Sequence, residues 1–409
     1  MRGAWDRSRR GQSRMSILRK ELVGWTVFGR HYRYRRAPAA CAVRAIDAVG
    51  NVFFRCRPHP FPADPRRICF VLLNHLGDMV VATAFTQALR QRFPQARITA
   101  VVRTAVMPIA RMAPGVDEVL ALDAPWFSRG DSRGWGRVFS FCMRHFRKFD
   151  AGFELYGDPR SLAVARAISK VCVGSGIRGL GFLLDINMDR GRIFGRPMPA
   201  THLDVLHASA GEHIAARPAV HIAAETIESI RRRLAGLDVE EKRFVLIHPG
   251  VSVRIREWPL QYWGKLVARL LQKMPVVTAD PDRSKVTALQ KMFAGRPFHS
   301  LSLSLEEYAA CIRCASLVIS VESLAGHFAA ACNVEVIWIH SGTTIASEMG
   351  PCVEPPSVVF CDTRCPRYPC GLHTCPYGYP SPCLERIGWE DVARAAEKIL
   401  GSQDKPSRR

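Results

Sequence analysis

The sequence contains no run of about twenty apolar residues, which is the length that a helix needs to cross a bilayer. Its early apolar stretch, Leu22–Phe28, follows Glu21 directly and is followed by Arg30, where a signal peptide would carry small residues. No repeat of fixed period is present. These absences argue against a spanning, exported or repeat protein and predict a cytoplasmic location.

Acidic residues are scarce at the N-terminal end. Residues 1–67 contain sixteen Arg or Lys and four Asp or Glu, so this segment carries +12 of the net charge of +22. Such a segment attracts an anionic membrane surface or nucleic acid, or it is a solvated tail. Val43, Ile46, Val49 and Phe53 recur at helical spacing, which favours a membrane surface over nucleic acid. We therefore predict a basic leader over residues 1–66 that binds membrane peripherally.

The fourteen cysteines do not follow the pattern of a small secreted scaffold, because the chain is long and lacks an export signal. Six of them fall in a loop-like segment, 352–383, that is rich in Pro, Gly and Tyr: Cys352, Cys361, Cys365, Cys370, Cys375 and Cys383. From Cys361 onward the spacing lacks the paired C-x2-C of a zinc ribbon. Reduced thiols, a zinc or iron site on the last five cysteines, and a disulfide all remain open.

Apolar runs of strand length alternate with helix-period segments along two stretches of the chain. Ile68–Leu73 begins the first stretch and Phe244–His248 begins the strands of the second. Alternation of this kind predicts parallel sheets with helical crossovers, an α/β fold of two doubly wound domains. We place the domains at 67–215 and 216–388, followed by a C-terminal helix and tail at 389–409.

Asp78 follows the first strand, in the first turn of the next predicted helix. A carboxylate at this position either caps the helix or faces a ligand beyond the strand ends, and the residue pattern alone leaves both open. Asp280 and Asp282 either cap the following helix or hold a ribose hydroxyl of a ligand, and we favour capping for both. Trp258 and Trp263 are expected in the core.

Three blocks of sequence occur in an order that resembles the glycosyltransferases of family 9, the bacterial heptosyltransferases and their relatives. The first is Asn74-His-Leu-Gly-Asp-Met79, and the second runs from His248-Pro-Gly250 to Arg256-Glu-Trp258. The third is Glu322-Ser-Leu-Ala-Gly-His327, and a Cys-rich ending also has family counterparts. The resemblance spans about residues 68–400 and implies the GT-B arrangement, in which two Rossmann-like domains face a cleft.

The resemblance also implies roles for individual residues. Asp78 stands at the position of the general base, beside an acceptor-side loop formed by Asn74, His75 and Gly77. The residues at donor-binding positions are Ser252, Arg256, Glu322, Ser323, Ala325, Gly326 and His327. The third block departs from the family's D-[ST]-G-x-x-H, because Glu322 replaces Asp and Leu324 replaces Gly.

By resemblance, the protein is expected to move heptose from ADP-heptose to a lipopolysaccharide-core or other saccharide acceptor, with inversion and without a required metal. Its partners would be the nucleotide-sugar donor, a saccharide or lipid-linked acceptor and the anionic inner face of the inner membrane, without nucleic acid. Two alternatives remain: a non-catalytic membrane-surface scaffold that keeps the fold, or a family 9 transferase with another nucleotide-sugar or a protein acceptor.

Overall fold

Two six-stranded parallel sheets organise the molecule in the computed structural model. The structure describes residues 18–403, apart from 22–23, 28–29, 33, 35, 55–58, 128–133, 189–194, 212 and 353–356. Residues 1–17 of the predicted leader and the tail 404–409 therefore lie outside the described residues. The prediction of two doubly wound α/β domains is confirmed.

The first sheet has the strand order β6-β5-β4-β7-β8-β9, with every neighbouring pair parallel. Its strands are β4 (Arg67–Leu72), β5 (Arg97–Val102), β6 (Glu118–Ala121), β7 (Phe149–Glu154), β8 (Ser169–Gly174) and β9 (Ile186–Asn187). The helices of this half are α2 (Leu76–Arg92), α3 (Met107–Arg111), α4 (Gly134–Arg144), α5 (Pro159–Ile168) and α6 (Met198–Ala210). The central strand β4 is buried from Ile68 onward, as expected of a strand covered on both faces.

The second sheet has the order β12-β11-β10-β13-β14-β15, also entirely parallel. Its strands are β10 (Val245–His248), β11 (Val276–Thr278), β12 (Phe298–Ser300), β13 (Leu317–Val321), β14 (Glu335–His340) and β15 (Val358–Cys361). Its helices are α7 (Ala224–Ala235), α8 (Leu260–Leu270), α9 (Arg283–Met292), α10 (Leu305–Cys314), α11 (Leu324–Ala331), α12 (Ala346–Met349), α13 (Pro382–Glu385) and α14 (Trp389–Gln403). Helix α14 packs on α8 and supplies Val392, Ala396 and Ile399 to the core of this domain.

Both sheets reverse their strand order at the centre, between β4 and β7 in the first and between β10 and β13 in the second. At such a switch point the loops after adjacent strands diverge and leave a crevice for ligands. The helices that follow two of these strands, α2 and α11, pack against each other. The two crevices therefore face each other across a contact between helix N-termini.

The described part of the leader folds onto the first domain. A small antiparallel sheet, with β1 (Leu18–Glu21), β2 (Gly24–Val27) and β3 (Arg30–Tyr32), precedes α1 (Ala37–Phe53). The predicted helix around Val43–Phe53 is thus confirmed. Asp47 on its inner side is buried and accepts a hydrogen bond from the Leu180 backbone N–H at 2.8 Å. None of the described helices is long and apolar enough to span a bilayer.

Candidate active site

A cleft of about 2220 Å³ lies where the two switch points meet. Residues after four central strands line it: Asp78 after β4, Tyr156 after β7, Arg256 after β10 and Glu322 after β13. Three of these strands, β4, β10 and β13, lead into the three sequence blocks that pointed to function, so the fold brings the blocks together. Asn74, His75 and Gly77 line the same cleft.

Asp78 caps its helix and also lines the cleft, so capping does not exclude contact with a ligand. Its Oδ2 accepts a hydrogen bond from the His75 backbone N–H at 2.8 Å, within a capping box at the start of α2. Burial raises the pKa of the Asp78 carboxyl, against the lowering effects of the His75 N–H and of the positive charge on Arg256. A carboxylate with a raised pKa binds a proton more strongly, which suits a general base.

The neighbours of Asp78 come from both domains. The Tyr156 hydroxyl lies 3.5 Å from the Asp78 carbonyl oxygen and also lowers the pKa of the carboxyl by hydrogen bonding. A Cβ placed on Gly77 would stand 2.9 Å from Cδ2 of His327 on α11. Glycine is therefore required at position 77 so that the first turns of α2 and α11 approach closely.

Arg256 brings a positive charge to the opposite side of the cleft. Its Nη1 lies 3.3 Å from Oε1 of Glu322, and the side chain is about 30% exposed while that of Glu322 is 7% exposed. A guanidinium that uses one edge for this ion pair retains further N–H donors for a ligand. Arg256 is thus anchored at one side and available to an anion.

Glu322 is held by several donors from the loop after β14. Ser341 Oγ donates to Oε2 at 2.7 Å, and Thr344 Oγ1 donates to Oε1 at 3.3 Å. His340 Nδ1 lies 3.5 Å from Oε2, and burial lowers the pKa of this histidine. A carboxylate with this many donors is well placed to orient Arg256 and the 341–344 loop.

His327 lies in the first half of α11 and lines the cleft. Burial lowers the pKa of its imidazole to about 4, so the ring is neutral at physiological pH. It packs edge-on against Trp338, with the ring centroids 4.9 Å apart. A neutral imidazole here is able to donate one hydrogen bond to a ligand without adding charge.

The two predicted serines occupy different positions. Ser252 is exposed and lines the cleft after β10. Ser323 caps α11, because its Oγ accepts a hydrogen bond from the Ala325 N–H at 3.4 Å, and it also lines the cleft. Both predicted positions are therefore in the cleft.

The side chain of Ala325 and the Cα of Gly326 are directed away from the cleft, so the predicted donor binding rests on their backbone N–H groups alone. Both are buried in the core and neither lines the cleft. A Cβ on Gly326 would overlap the Trp338 ring, so this glycine serves the packing of α11 on β14. Leu324, by contrast, faces the cleft.

The remaining predictions for the second domain concern structural residues. Asp282 caps α9 by accepting from the Lys285 N–H, as favoured from sequence. Asp280 is buried and accepts from the Gly250 N–H, which fixes the loop after β10. Trp258 and Trp263 lie in the core, with their rings 5.0 Å apart.

Several cleft residues were not found from sequence. Arg36, Arg103 and Arg178 line the first-domain side of the cleft, and Arg103 Nε donates to the Asn74 carbonyl at 3.1 Å. They come from three separate loops and belong to no local motif. The only available signal was the excess of arginine, which does not identify positions. They make this side of the cleft attractive to an anionic ligand.

The Cys-rich segment borders the cleft on the side of the second domain. Cys365, Cys370, Cys375 and Cys383 line a cavity of about 260 Å³ behind the loop at Thr343. The described cysteines form no disulfide, and no three His, Cys, Asp or Glu side chains of the described residues converge as metal ligands. The described geometry therefore does not fit the zinc or iron alternative.

The comparisons with known proteins agree with this geometry. Among curated proteins, none matches the chain in sequence. A family 9 glycosyltransferase from Veillonella parvula has 18% identity over 83% of this chain and 98% of its own, with a TM-score of 0.68. E. coli ADP-heptose lps heptosyltransferase II has 16% identity over 83% and 100%, with a TM-score of 0.63.

A third similar structure is E. coli heptosyltransferase WaaC with ADP-2-deoxy-2-fluoro heptose, at 15% identity over 81% of this chain and 99% of its own and a TM-score of 0.62. These likenesses establish the GT-B heptosyltransferase fold. The sequence profile described as glycosyltransferase family 9 (heptosyltransferase) matches residues 150–377, more than half of the chain. The chain therefore belongs to glycosyltransferase family 9 and is a glycosyltransferase.

Proposed function

We propose that this glycosyltransferase moves heptose from ADP-heptose to a hydroxyl of a saccharide acceptor, with inversion at the anomeric carbon. The observation that carries the proposal is the placement of Asp78 opposite Arg256 and His327 in one cleft. Two of the similar structures are named for an ADP-heptose activity or contain an ADP-heptose analogue, which supports this donor.

In the proposed reaction, Asp78 accepts the proton of the acceptor hydroxyl as the acceptor oxygen attacks the anomeric carbon. The bond between that carbon and the β-phosphate oxygen breaks, and ADP leaves with the bonding electron pair. Attack and departure on opposite faces invert the anomeric configuration. A base of this kind is typically worth about 10²–10⁴-fold in rate.

Groups of the second domain stabilise the negative charge that develops on the leaving diphosphate. Arg256 supplies a positive charge anchored by Glu322, and His327 supplies a neutral donor. The N-terminus of α11, capped by Ser323, adds backbone N–H groups and the positive end of a helix dipole. Donors that are already oriented in this way stabilise developing charge without reorganisation.

For the acceptor, we propose a lipid-linked or lipopolysaccharide-core saccharide at the cytoplasmic face of the inner membrane. The arginines at positions 36, 103 and 178 support an acceptor with negative charges beside its hydroxyl. Lipid-linked core saccharides with phosphate or carboxylate groups have this character.

The test begins with binding. Isothermal titration calorimetry with ADP, ADP-heptose, UDP-sugars and GDP-sugars should give binding to ADP and ADP-heptose. Turnover should then appear as ADP release when lipid-linked heptose-deficient core saccharide is added. Asp78→Asn serves as the matched control, because it should bind ADP-heptose and release no ADP.

Different failures have different meanings. Absence of binding by every nucleotide and nucleotide-sugar would overturn the enzyme assignment and favour a scaffold that keeps the fold. Transfer from another nucleotide-sugar would overturn heptose alone. Transfer by Asp78→Asn at the wild-type rate would overturn the mechanism but leave the donor intact.

A further inference from the structure

Helix α1 exposes an apolar face beside the first domain. Ile46, Val49, Val52, Phe53 and the following Phe54 are each between 53% and 75% exposed. The opposite side of the helix has its own partners, because a Cβ on Gly50 would overlap the Phe182 ring and Asp47 is buried. The exposed face is therefore not needed to hold α1 on the domain.

Helix α4 exposes a second apolar stripe. Trp135, Phe139 and Met143 of the helix, and Phe146 in the turn that follows it, recur at three- or four-residue intervals and are each between 59% and 68% exposed. The buried side of this helix is occupied by Phe141. Scattered exposed apolar residues are ordinary, whereas two contiguous stripes on neighbouring helices mark an interaction surface.

The two stripes belong to one surface. Val43 and Ile46 of α1 line the same groove, of about 450 Å³, as Val138 and Cys142 of α4. The groove adjoins the active-site cleft, because Tyr34 and Arg178 line both. We name the exposed faces of α1 and α4, with this groove, the α1–α4 surface.

The charge of the α1–α4 surface indicates that its partner is anionic. Residues 132–149 contain no Asp or Glu, and Arg144, Arg147 and Lys148 are exposed at the end of α4. Helix α1 likewise contains one acidic residue, the buried Asp47. Exposed aromatic and aliphatic side chains with a basic border are typical of elements that lie in the headgroup region of an anionic bilayer.

We propose that the α1–α4 surface docks on an anionic phospholipid surface and thereby holds the acceptor side of the cleft at the membrane. The apolar side chains enter the headgroup boundary while the basic side chains contact lipid phosphates. Docking does not depend on the proposed transfer reaction. Docking in this orientation would, however, bring a lipid-linked acceptor close to the adjoining cleft.

The test measures flotation of the full-length protein with vesicles. The protein should float with vesicles of phosphatidylglycerol and phosphatidylcholine in equal parts, and not with phosphatidylcholine alone. The double variant Phe139→Gln/Met143→Gln should bind the anionic vesicles at least about tenfold more weakly, since each substitution removes an apolar side chain that the bilayer would bury. Val49→Gln/Val52→Gln on α1 should do the same independently.

Matched controls separate the α1–α4 surface from general effects. Met292 on α9 is 53% exposed, so Met292→Gln should leave vesicle binding unchanged. Arg144→Gln/Lys148→Gln should weaken binding to anionic vesicles by about tenfold, whereas Lys291→Gln should not. ADP binding by calorimetry should be unchanged in all variants, which shows that they are folded.

Three outcomes would overturn the proposal. Wild-type protein that fails to bind anionic vesicles would do so directly. Equal binding by wild type and both apolar double variants would assign membrane contact to the basic residues that precede α1. A dimer by light scattering that dissociates in these variants, without vesicle binding, would assign the surface to a second copy of the chain.

Discussion

The two sides of the cleft are built alike and differ in how their carboxylates are satisfied. On each side a central strand leads through a short loop into a helix N-terminus, β4 to α2 and β13 to α11. Asp78 accepts one close backbone hydrogen bond and its pKa is raised by burial. Glu322 accepts hydrogen bonds from Ser341 and Thr344 and forms an ion pair with Arg256.

This difference suits Asp78 and Glu322 to two different roles. A buried carboxylate with few donors gains most by taking a proton, which is what a base must do. A carboxylate surrounded by donors fixes the orientation of the groups around it. The same strand-to-helix turn thus provides a proton acceptor in one domain and an anchor for a cation in the other.

The largest expected effect comes from removing the proton acceptor. Asp78→Asn should lower kcat by about 10²–10⁴-fold while the dissociation constant for ADP-heptose stays within a factor of about two, because the base acts on the acceptor. Single-turnover kinetics and calorimetry measure the two quantities. The exposed Asp64 is the control, and Asp64→Asn should behave as wild type.

The pH dependence tests the same residue. Because the pKa of Asp78 is raised, activity should fall as the pH decreases through a value above the ordinary range for aspartate, and this acid limb should be absent in the residual activity of Asp78→Asn. An acid limb that persists unchanged in the variant would assign the base to another group.

The second largest effect is expected from removing the positive charge of Arg256. Arg256→Ala should lower kcat/KM by about 10²-fold and weaken ADP binding, since leaving-group charge develops in the transition state. Arg254 lies in the same short turn, outside the cleft, with its guanidinium over the Tyr379 ring. Arg254→Ala is therefore the matched control, and equal losses in both variants would argue for a structural effect of the turn.

A third, smaller effect tests whether Glu322 acts through Arg256. Glu322→Gln should lower kcat/KM by about tenfold, because it releases the Arg256 guanidinium. In a protein that already carries Arg256→Ala, the same substitution should lower kcat/KM little further. A double-mutant cycle on kcat/KM gives the coupling. Additive losses would mean that Glu322 contacts the donor itself, and the contrast between the two carboxylates would then fail.

The sequence was sufficient for features that depend on local pattern. The apolar run of β4 followed by Gly77 and Asp78 located both the strand and the residue at its end, and Asp282 was correctly favoured as a helix cap. Edge strands as short as β9 and β12 cannot be recognised in this way, because two or three residues carry no detectable periodicity.

Features that depend on distant contacts could not be predicted. Gly326 was assigned to donor binding from its motif, but its neighbour is Trp338 on the next strand, which only the packing reveals. Arg103 and Arg178 reach the cleft from separate loops. The exposed stripe on α4 was visible as helical spacing, but spacing does not tell a buried face from an exposed one.

The smallest expected effect concerns stability at the contact between the two helix N-termini. His327 has a pKa of about 4 in the folded protein and about 6.5 when unfolded, so the unfolded state binds more protons between these values. Stability should therefore fall as the pH decreases from about 6.5 toward 4. The contribution of His327 to this loss of stability at pH 5 is roughly 1–2 kcal/mol, allowing for partial exposure of the ring.

Urea unfolding at pH 7 and pH 5 measures how much unfolding free energy is lost on acidification. The loss should be smaller for His327→Asn than for wild type. His59→Asn, at an exposed position, should lose as much as wild type. An equal loss for His327→Asn would mean that other buried histidines, His248 and His340, account for the acid sensitivity.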